Sequence, residues 1–156
     1  TALASSYTPE TRANVTLTIY EWLADIAAVN YFVDHAPSSS DPSALARAAF
    51  PAAQNEATSN TILSERVKLD AKGEAASLAL PAGFAIIGPA INDTIYHPEN
   101  VRKNVAAVNG QRCPPPTGQG GISKEGDVQQ AAATAIGIVV PTPATPTACF
   151  ATATPA

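Results

Sequence analysis

Apolar residues in the first part of the chain recur at alternating spacings of four and three. The stripe begins at Val15 and ends at Val33, and it lies on one face of an α-helix. Thr8 and Pro9 supply a hydroxyl cap and a proline at the first helical position. Because the residue before a proline is pushed out of helical geometry, Pro37 limits the other end. The pattern predicts one long amphipathic helix that ends near Pro37.

Caps, prolines and glycines divide the next part of the chain into two further helices. Asp41 and Pro42 repeat the capping pattern and predict a short helix. Pro51 either kinks that helix or begins a longer one that runs to about residue 71. Gly73 follows and is predicted to end the longer helix.

Two later segments are also predicted to be helical. One begins at His97-Pro98-Glu99 and stops at Gly110, with valines along one face. The other is capped by Ser123 and ends at Gly137. The apolar residues 138–140 that follow predict either a short strand or an extended segment that covers the core.

Residues 75–91 carry no charged side chain, which is the most unusual feature of the pattern. The run is at the lower length limit for a transmembrane helix and contains Pro81, Gly83, Gly88 and Pro89, so we expect no membrane span. The favoured interpretation is a core segment, helical or extended, that other helices bury on all sides. The alternative is that it surrounds an apolar ligand or presents itself to a hydrophobic surface.

Together these patterns predict a mainly α fold, a single-domain bundle of four to five helices around an uncharged central segment. Residues 1–140 form the helical domain, and residues 141–156 form an extended Pro/Thr-rich C-terminal tail. Cys113 and Cys149 are the only two thiols, so a disulfide between them is predicted to tie the tail back. Neither cysteine has a second cysteine or a histidine at ligand spacing, which argues against a zinc site.

Composition indicates where such a chain works. It has 156 residues and a net charge of -4, and its basic residues are scattered, so no nucleic-acid partner is expected. The absence of methionine favours a processed chain. Asn14 and Asn92 each begin an Asn-x-Thr sequon. Together with the cysteine pair, these features predict an extracellular or cell-surface glycoprotein with N-linked glycans on Asn14 and Asn92.

The usual catalytic and metal-binding patterns are not found. His35 and His97 are the only histidines, and each lies at a predicted helix boundary. Glu21 and Glu56 lack the histidine three residues later that a di-iron bundle needs. No G-x-S-x-G motif or nucleotide-binding glycine pattern occurs. We therefore predict no metal, no cofactor and no catalytic residue.

The uncharged run and the aromatic residues of the first helix lead to the functional hypothesis. We expect a non-catalytic binding module for an apolar small molecule, a lipid or a hydrophobic surface. One alternative is a structural or adhesive cell-surface or cell-wall protein, and another is a secreted hydrolase with no recognisable motif. For the aromatic residues of the first helix, the favoured interpretation is that they fill the core, and the alternative is that they line a pocket. The candidate pocket residues are Trp22, Phe32, Leu80, Phe84 and Ile87.

Overall fold

The structure, a computed structural model, describes residues 6–150. Its five α-helices are α1 (Pro9–His35), α2 (Pro42–Arg66), α3 (Ala71–Tyr96), α4 (Val101–Arg112) and α5 (Gly121–Ile136). No strand occurs within residues 6–150, and residues 138–146 have no regular secondary structure. The predicted mainly α bundle of four to five helices is confirmed. The end of the predicted tail, residues 151–156, lies outside the described residues.

Polar caps begin the first two helices where the sequence predicts them. The Thr8 hydroxyl accepts a hydrogen bond from the backbone N–H of Thr11 at 3.1 Å. The Asp41 carboxylate accepts one from the N–H of Ala44, also at 3.1 Å. Each cap satisfies an N–H that has no partner inside its helix.

In the middle of the chain, the structure excludes one of the two alternatives for Pro51, the start of a new helix, and the predicted helix end at Gly73 is wrong. Pro51 lies inside a continuous α2, on its exposed side, and α2 ends earlier than predicted, at Arg66. Asp70 then caps α3 by accepting a hydrogen bond from the N–H of Gly73 at 2.8 Å. Gly73 therefore lies in the first turn of a helix instead of ending one. It also packs against Ala131 of α5, where a Cβ atom on residue 73 would clash.

The last two helices differ from the prediction at three boundaries. α4 begins at Val101, after a 3₁₀ turn at Pro98–Asn100, instead of at residues 97–99. Gly110 lies inside α4, which continues to Arg112. α5 begins two residues before Ser123, after Gly120, which has a positive φ of 75°. Its predicted end at Gly137 is confirmed, and this glycine has a φ of 77°. Residues 138–140 are not a strand.

Residues 75–91 form the middle of α3, which remains helical through Pro81 and Pro89. Pro81 has no N–H, so the carbonyl of Ser77, four residues earlier, loses its usual partner. The side-chain amide of Asn60 in α2 donates to that carbonyl at 3.1 Å. The Ser77 hydroxyl in turn donates to the Asn60 side-chain oxygen at 2.8 Å. A neighbouring helix thus replaces the hydrogen bond that Pro81 removes.

The interpretation that residues 75–91 are buried on all sides is wrong. α3 packs against α2, α4 and α5, and these neighbours cover one of its faces. Leu80, Ile87 and Ile91 lie on the covered face. Leu78 on the opposite face is 77% exposed. The uncharged run is therefore half core and half surface.

The apolar core consists of two clusters. The α4-side cluster joins the C-terminal halves of α1 and α3 to the N-terminal half of α2 and to α4. The α5-side cluster joins the N-terminal halves of α1 and α3 to the end of α2 and to α5. Along α2, the first cluster ends at Ala53 and the second begins at Leu63. The residues between them, including Glu56, are therefore in position to form a polar layer.

The described part of the C-terminal tail is held across the bundle at several points. The predicted disulfide joins Cys113 to Cys149. The Asp34 carboxylate accepts hydrogen bonds from the N–H groups of Thr147, at 3.1 Å, and Ala148, at 2.8 Å. These contacts tie the tail to both α1 and the end of α4.

Candidate functional site

The five predicted pocket residues are divided between the two core clusters. Phe32 and Ile87 belong to the α4-side cluster. Trp22 and Leu80 belong to the α5-side cluster, and Phe84 packs against it. Trp22 and Phe32 are at most 1% exposed, so their rings fill the core. The structure does not bring the five residues together around one cavity.

Grooves on the described surface are open to solvent and do not bring the predicted pocket residues together. Leu80 borders one of about 320 Å³, together with Gln111 and Lys124. A larger groove of about 560 Å³ runs beside the first half of α1, where Leu17 and Tyr20 are exposed. Both are surface depressions rather than enclosed sites for an apolar molecule.

The uncovered side of α3, which we call the outer face, is continuously apolar. Its exposed positions recur at spacings of three and four residues, so they form one stripe along the helix. At 1.5 Å per residue the stripe is about 21 Å long. Leu78 and Ile86 are its two large side chains, 77% and 44% exposed. The stripe consists of Ala75, Leu78, Ala79, Ala82, Ala85, Ile86 and Pro89.

α3 is also the one helix in residues 6–150 that is long and apolar enough to cross a membrane. This criterion concerns length and composition alone, and core helices of soluble proteins also meet it. An 18-residue window of α3 has a mean hydropathy of 1.5, yet only 28% of that window is buried inside the protein. α3 therefore exposes more apolar surface than a core helix does.

The two sequons differ in their surroundings. Asn14 is exposed on α1. Asn92 is half-buried on α3, and the hydroxyl-bearing residue of its sequon, Thr94, is fully buried. The Thr94 hydroxyl donates to the backbone carbonyl of Ala90 at 3.1 Å. Asn14 is thus the sequon that a glycan can occupy without disturbing the packing.

Both histidines lie on the surface at helix ends. The ring of His35 stacks on Tyr31 with 4.0 Å between centroids. His97 lies 3.5 Å from the carboxylate of Glu99, and both side chains are exposed. Within residues 6–150, no group of three His, Cys, Asp or Glu side chains is arranged to hold a metal ion. Neither imidazole is placed beside a buried carboxylate.

The most unusual chemistry lies inside the bundle, in a set of residues that we call the core ion cluster: Glu56 of α2, Arg112 of α4 and Glu125 of α5. Each is at most 1% exposed. Nη1 of Arg112 donates to both carboxylate oxygens of Glu56 at 2.9 Å. The same Nη1 atom lies 3.7 Å from Oε1 of Glu125, which is too long for a hydrogen bond. Glu56 is therefore the direct partner of the guanidinium, and Glu125 is not.

Helix α1 completes the polar layer with neutral groups. The indole N–H of Trp22 donates to Oε2 of Glu125 at 2.6 Å. Nη2 of Arg112 donates to the side-chain oxygen of Asn30 at 2.8 Å and to the carbonyl of Ile26 at 3.1 Å. The Asn30 amide then donates to the carbonyl of Ala144 in the tail at 2.8 Å. Four helices and the tail thus meet at this layer.

Two carboxyl groups near this layer have raised pKa values. Burial raises the pKa of Glu125 well above its ordinary value, and the neighbouring Glu56 carboxylate raises it further, while Arg112 acts in the opposite direction. Burial, followed by the charges of Glu56 and Glu21, raises the pKa of Asp25 to about 6. Asp93, at the far end of α3, has a lowered pKa because Asn104 and Asn100 donate hydrogen bonds to it.

The core ion cluster was not predicted from the sequence, because its three residues come from three separate helices. A signal was present in the spacing. On α2, Glu56 falls in register with the buried residues Ala49, Ala53 and Leu63. A charged residue on the apolar face of a predicted helix indicates a buried polar contact.

Comparison with known proteins gave no match: no family model, no curated protein and no solved structure is significantly similar to this chain. A functional proposal for this chain therefore depends on its own residues.

Proposed function

We propose that this protein is a non-catalytic binding module that attaches to hydrophobic surfaces through the outer face of α3. The observation that carries the proposal is the apolar stripe from Ala75 to Pro89, which no described part of the chain covers. A soluble domain of this size rarely leaves a long apolar stripe open to water, and such patches mark interaction sites. Burying Leu78 and Ile86 against an apolar partner would remove unfavourable hydration.

A flat partner fits this face better than a small molecule held inside the bundle. The five predicted pocket residues fill the core and do not line a shared cavity. The stripe borders only open grooves, such as the one that Ala79 and Ala82 share with Gln111, so it does not enclose a ligand. An extended apolar surface can contact all of its residues at once.

Charge favours an uncharged surface over an anionic one. Residues 75–91 contain no charged side chain, and the whole chain has a net charge of -4. Anionic lipid headgroups bind clusters of Lys and Arg, which α3 does not supply at its outer face. The partner that we propose is therefore an apolar solid or an acyl-chain surface without an anionic coat.

We also propose that the protein works outside the cell and carries a glycan on Asn14. The Cys113–Cys149 disulfide supports an oxidising environment. The exposure of Asn14 on α1 supports glycosylation there rather than at the half-buried Asn92. The glycan would extend from α1, a helix that does not contribute to the outer face of α3.

Replacing both large residues of the stripe by serine, Leu78→Ser with Ile86→Ser, should weaken adsorption to polystyrene beads. Loss of these partly exposed aliphatic side chains corresponds to about 2 kcal/mol, or a roughly 30-fold weaker affinity. Adsorption isotherms from bead depletion measure this change. Because both side chains are exposed, unfolding by urea should shift little.

The matched control removes the same number of exposed apolar side chains elsewhere. Leu17 on α1 is 57% exposed, and Val139, in the segment that follows α5, is 94% exposed. The Leu17→Ser, Val139→Ser variant should adsorb like the unmodified protein. Equal losses in the two variants would show that the outer face has no special role. A concentration-dependent dimer that the α3 variant alone abolishes would show that a second copy is the partner of this face.

The glycosylation proposal is tested by the intact mass of the protein from its native source before and after N-glycosidase treatment. We expect one N-linked glycan, lost when Asn14 is changed to Gln and kept when Asn92 is changed to Gln. A native mass equal to that of the bare polypeptide would contradict this part of the proposal.

A further inference from the structure

The core ion cluster places two carboxyl groups beside one cation, with water excluded from all three side chains. Both hydrogen bonds of Nη1 of Arg112 go to Glu56. Oε2 of Glu125 accepts from Trp22, but Oε1 has no hydrogen-bond donor although it is fully buried. A buried oxygen that carries negative charge without a donor is strongly unfavourable. As a carboxylate, Glu125 would be in that position.

A proton on Glu125 resolves the imbalance. A protonated carboxyl group has an O–H that can donate to the neighbouring Glu56, while its other oxygen still accepts from Trp22. The cluster would then hold one negative charge and one positive charge instead of an excess negative charge. Two close carboxylates with a shared proton are a known response to burial.

We propose that the folded protein takes up a proton at Glu125, so that the fold is favoured by acid and weakened by alkali. This inference is independent of the outer face of α3, which shares no residue with the cluster. The proton would join α2 and α5 through the contact between Glu56 and Glu125, in the layer where the tail is also attached through Asn30.

No other described charge replaces the proton. Glu56 comes from α2 and Arg112 from α4, while α1 supplies the neutral Trp22 indole. The charged Asp127 of α5 pairs outward with Lys72 of α3 at 3.2 Å. Asp25 of α1 interacts electrostatically with Glu56, and it can add only negative charge, so it cannot take the place of the proton.

The direction of the pH dependence follows from which state holds the proton. In the unfolded chain Glu125 ionises near its ordinary pKa, about 4.3. In the folded chain it stays protonated to higher pH, so the unfolded state binds fewer protons in the intervening range and stability falls as pH rises. Because the folded and unfolded states differ by at most one bound proton at Glu125, the unfolding equilibrium constant rises by up to tenfold for each pH unit. Asp25 contributes in the same direction up to about pH 6.

The test compares unfolding of the unmodified protein and of Glu125→Gln, a neutral side chain of the same shape, in urea at pH 5 to 9. Asp25 adds a decline in stability up to about pH 6 in all the proteins, so the additional decline of the unmodified protein should be lost in Glu125→Gln. The exposed Glu65→Gln on α2 is the control and should keep the decline. Parallel profiles for all three proteins would overturn the proposal.

Infrared spectroscopy gives a second, independent readout that does not require the variant to fold. Above the pH at which an exposed glutamate is ionised, the unmodified protein should still show the carbonyl stretch of a protonated carboxylic acid besides that of Asp25, and Glu125→Gln should lack it if it folds. An unmodified protein without this band would overturn the proposal.

Discussion

Replacing Arg112 by methionine should destabilise the fold by about 3–5 kcal/mol, the largest effect expected of any single substitution in this chain. The substitution removes the only cation of the core ion cluster and leaves the Glu56 carboxylate buried without its donor. It also removes the hydrogen bonds to Asn30 and to the carbonyl of Ile26. Urea unfolding at pH 7, followed by circular dichroism, measures the loss.

Arg102 provides the matched control for this prediction. It lies on the same helix, α4, but is exposed. Its replacement by methionine should change the free energy of unfolding by no more than about 0.5 kcal/mol. Replacing all three ionisable side chains of the cluster together, as Glu56→Leu, Arg112→Met and Glu125→Leu, should restore much of the stability lost by Arg112→Met alone. A single Arg112→Met variant as stable as Arg102→Met would contradict the description of the cluster.

Removing the disulfide, with Cys113→Ala and Cys149→Ala, should cost about 4 kcal/mol. The two cysteines are separated by 36 residues, and a cross-link over that distance restricts the unfolded chain by this amount in the chain-entropy model. Urea unfolding of the variant and of the unmodified protein measures the difference. Adding a reducing agent should lower the stability of the unmodified protein alone, since the variant has no thiols.

The tail gives a local readout of the same change. Asp34 and Asn30 hold the tail backbone by hydrogen bonds in addition to the disulfide. Without the cross-link, the tail can detach from the bundle once these hydrogen bonds break. Protease cleavage within residues 141–148 should therefore become faster than cleavage in the helices. An unchanged unfolding midpoint and an unchanged cleavage rate would contradict the role assigned to the disulfide.

Helix type and the starts of the first two helices could be predicted because their causes are local. Thr8 and Asp41 cap the helices that follow them, and the period of apolar residues in α1 identifies its buried face. Gly73 misled the prediction because a glycine after an apolar run is typical of a helix end. Its actual role depends on Ala131, almost 60 residues away, against which it packs. Contacts of that kind leave no local pattern.

The exposed face of α3 could not be predicted for a different reason. A helix shows which side is buried only when apolar and polar positions alternate with its period. Residues 75–91 are uncharged all round, so the pattern contains no contrast, and a helix of that kind is ordinarily buried. Its prolines would also argue against a continuous helix, but the Asn60 amide supplies a hydrogen bond to Ser77 that the sequence of α3 does not reveal.

The central proposal, that the outer face of α3 meets hydrophobic surfaces, can be tested by placing a reporter on that face. Ala82 lies in the middle of the stripe, and both native cysteines are in the disulfide, so Ala82→Cys can be labelled with a polarity-sensitive fluorophore. Ala27→Cys, on the exposed side of α1, is the matched control. On addition of polystyrene particles, the label at residue 82 should shift its emission to the blue while the label at residue 27 stays unchanged. An equal shift at both positions, or a shift at residue 27 alone, would contradict attachment through α3.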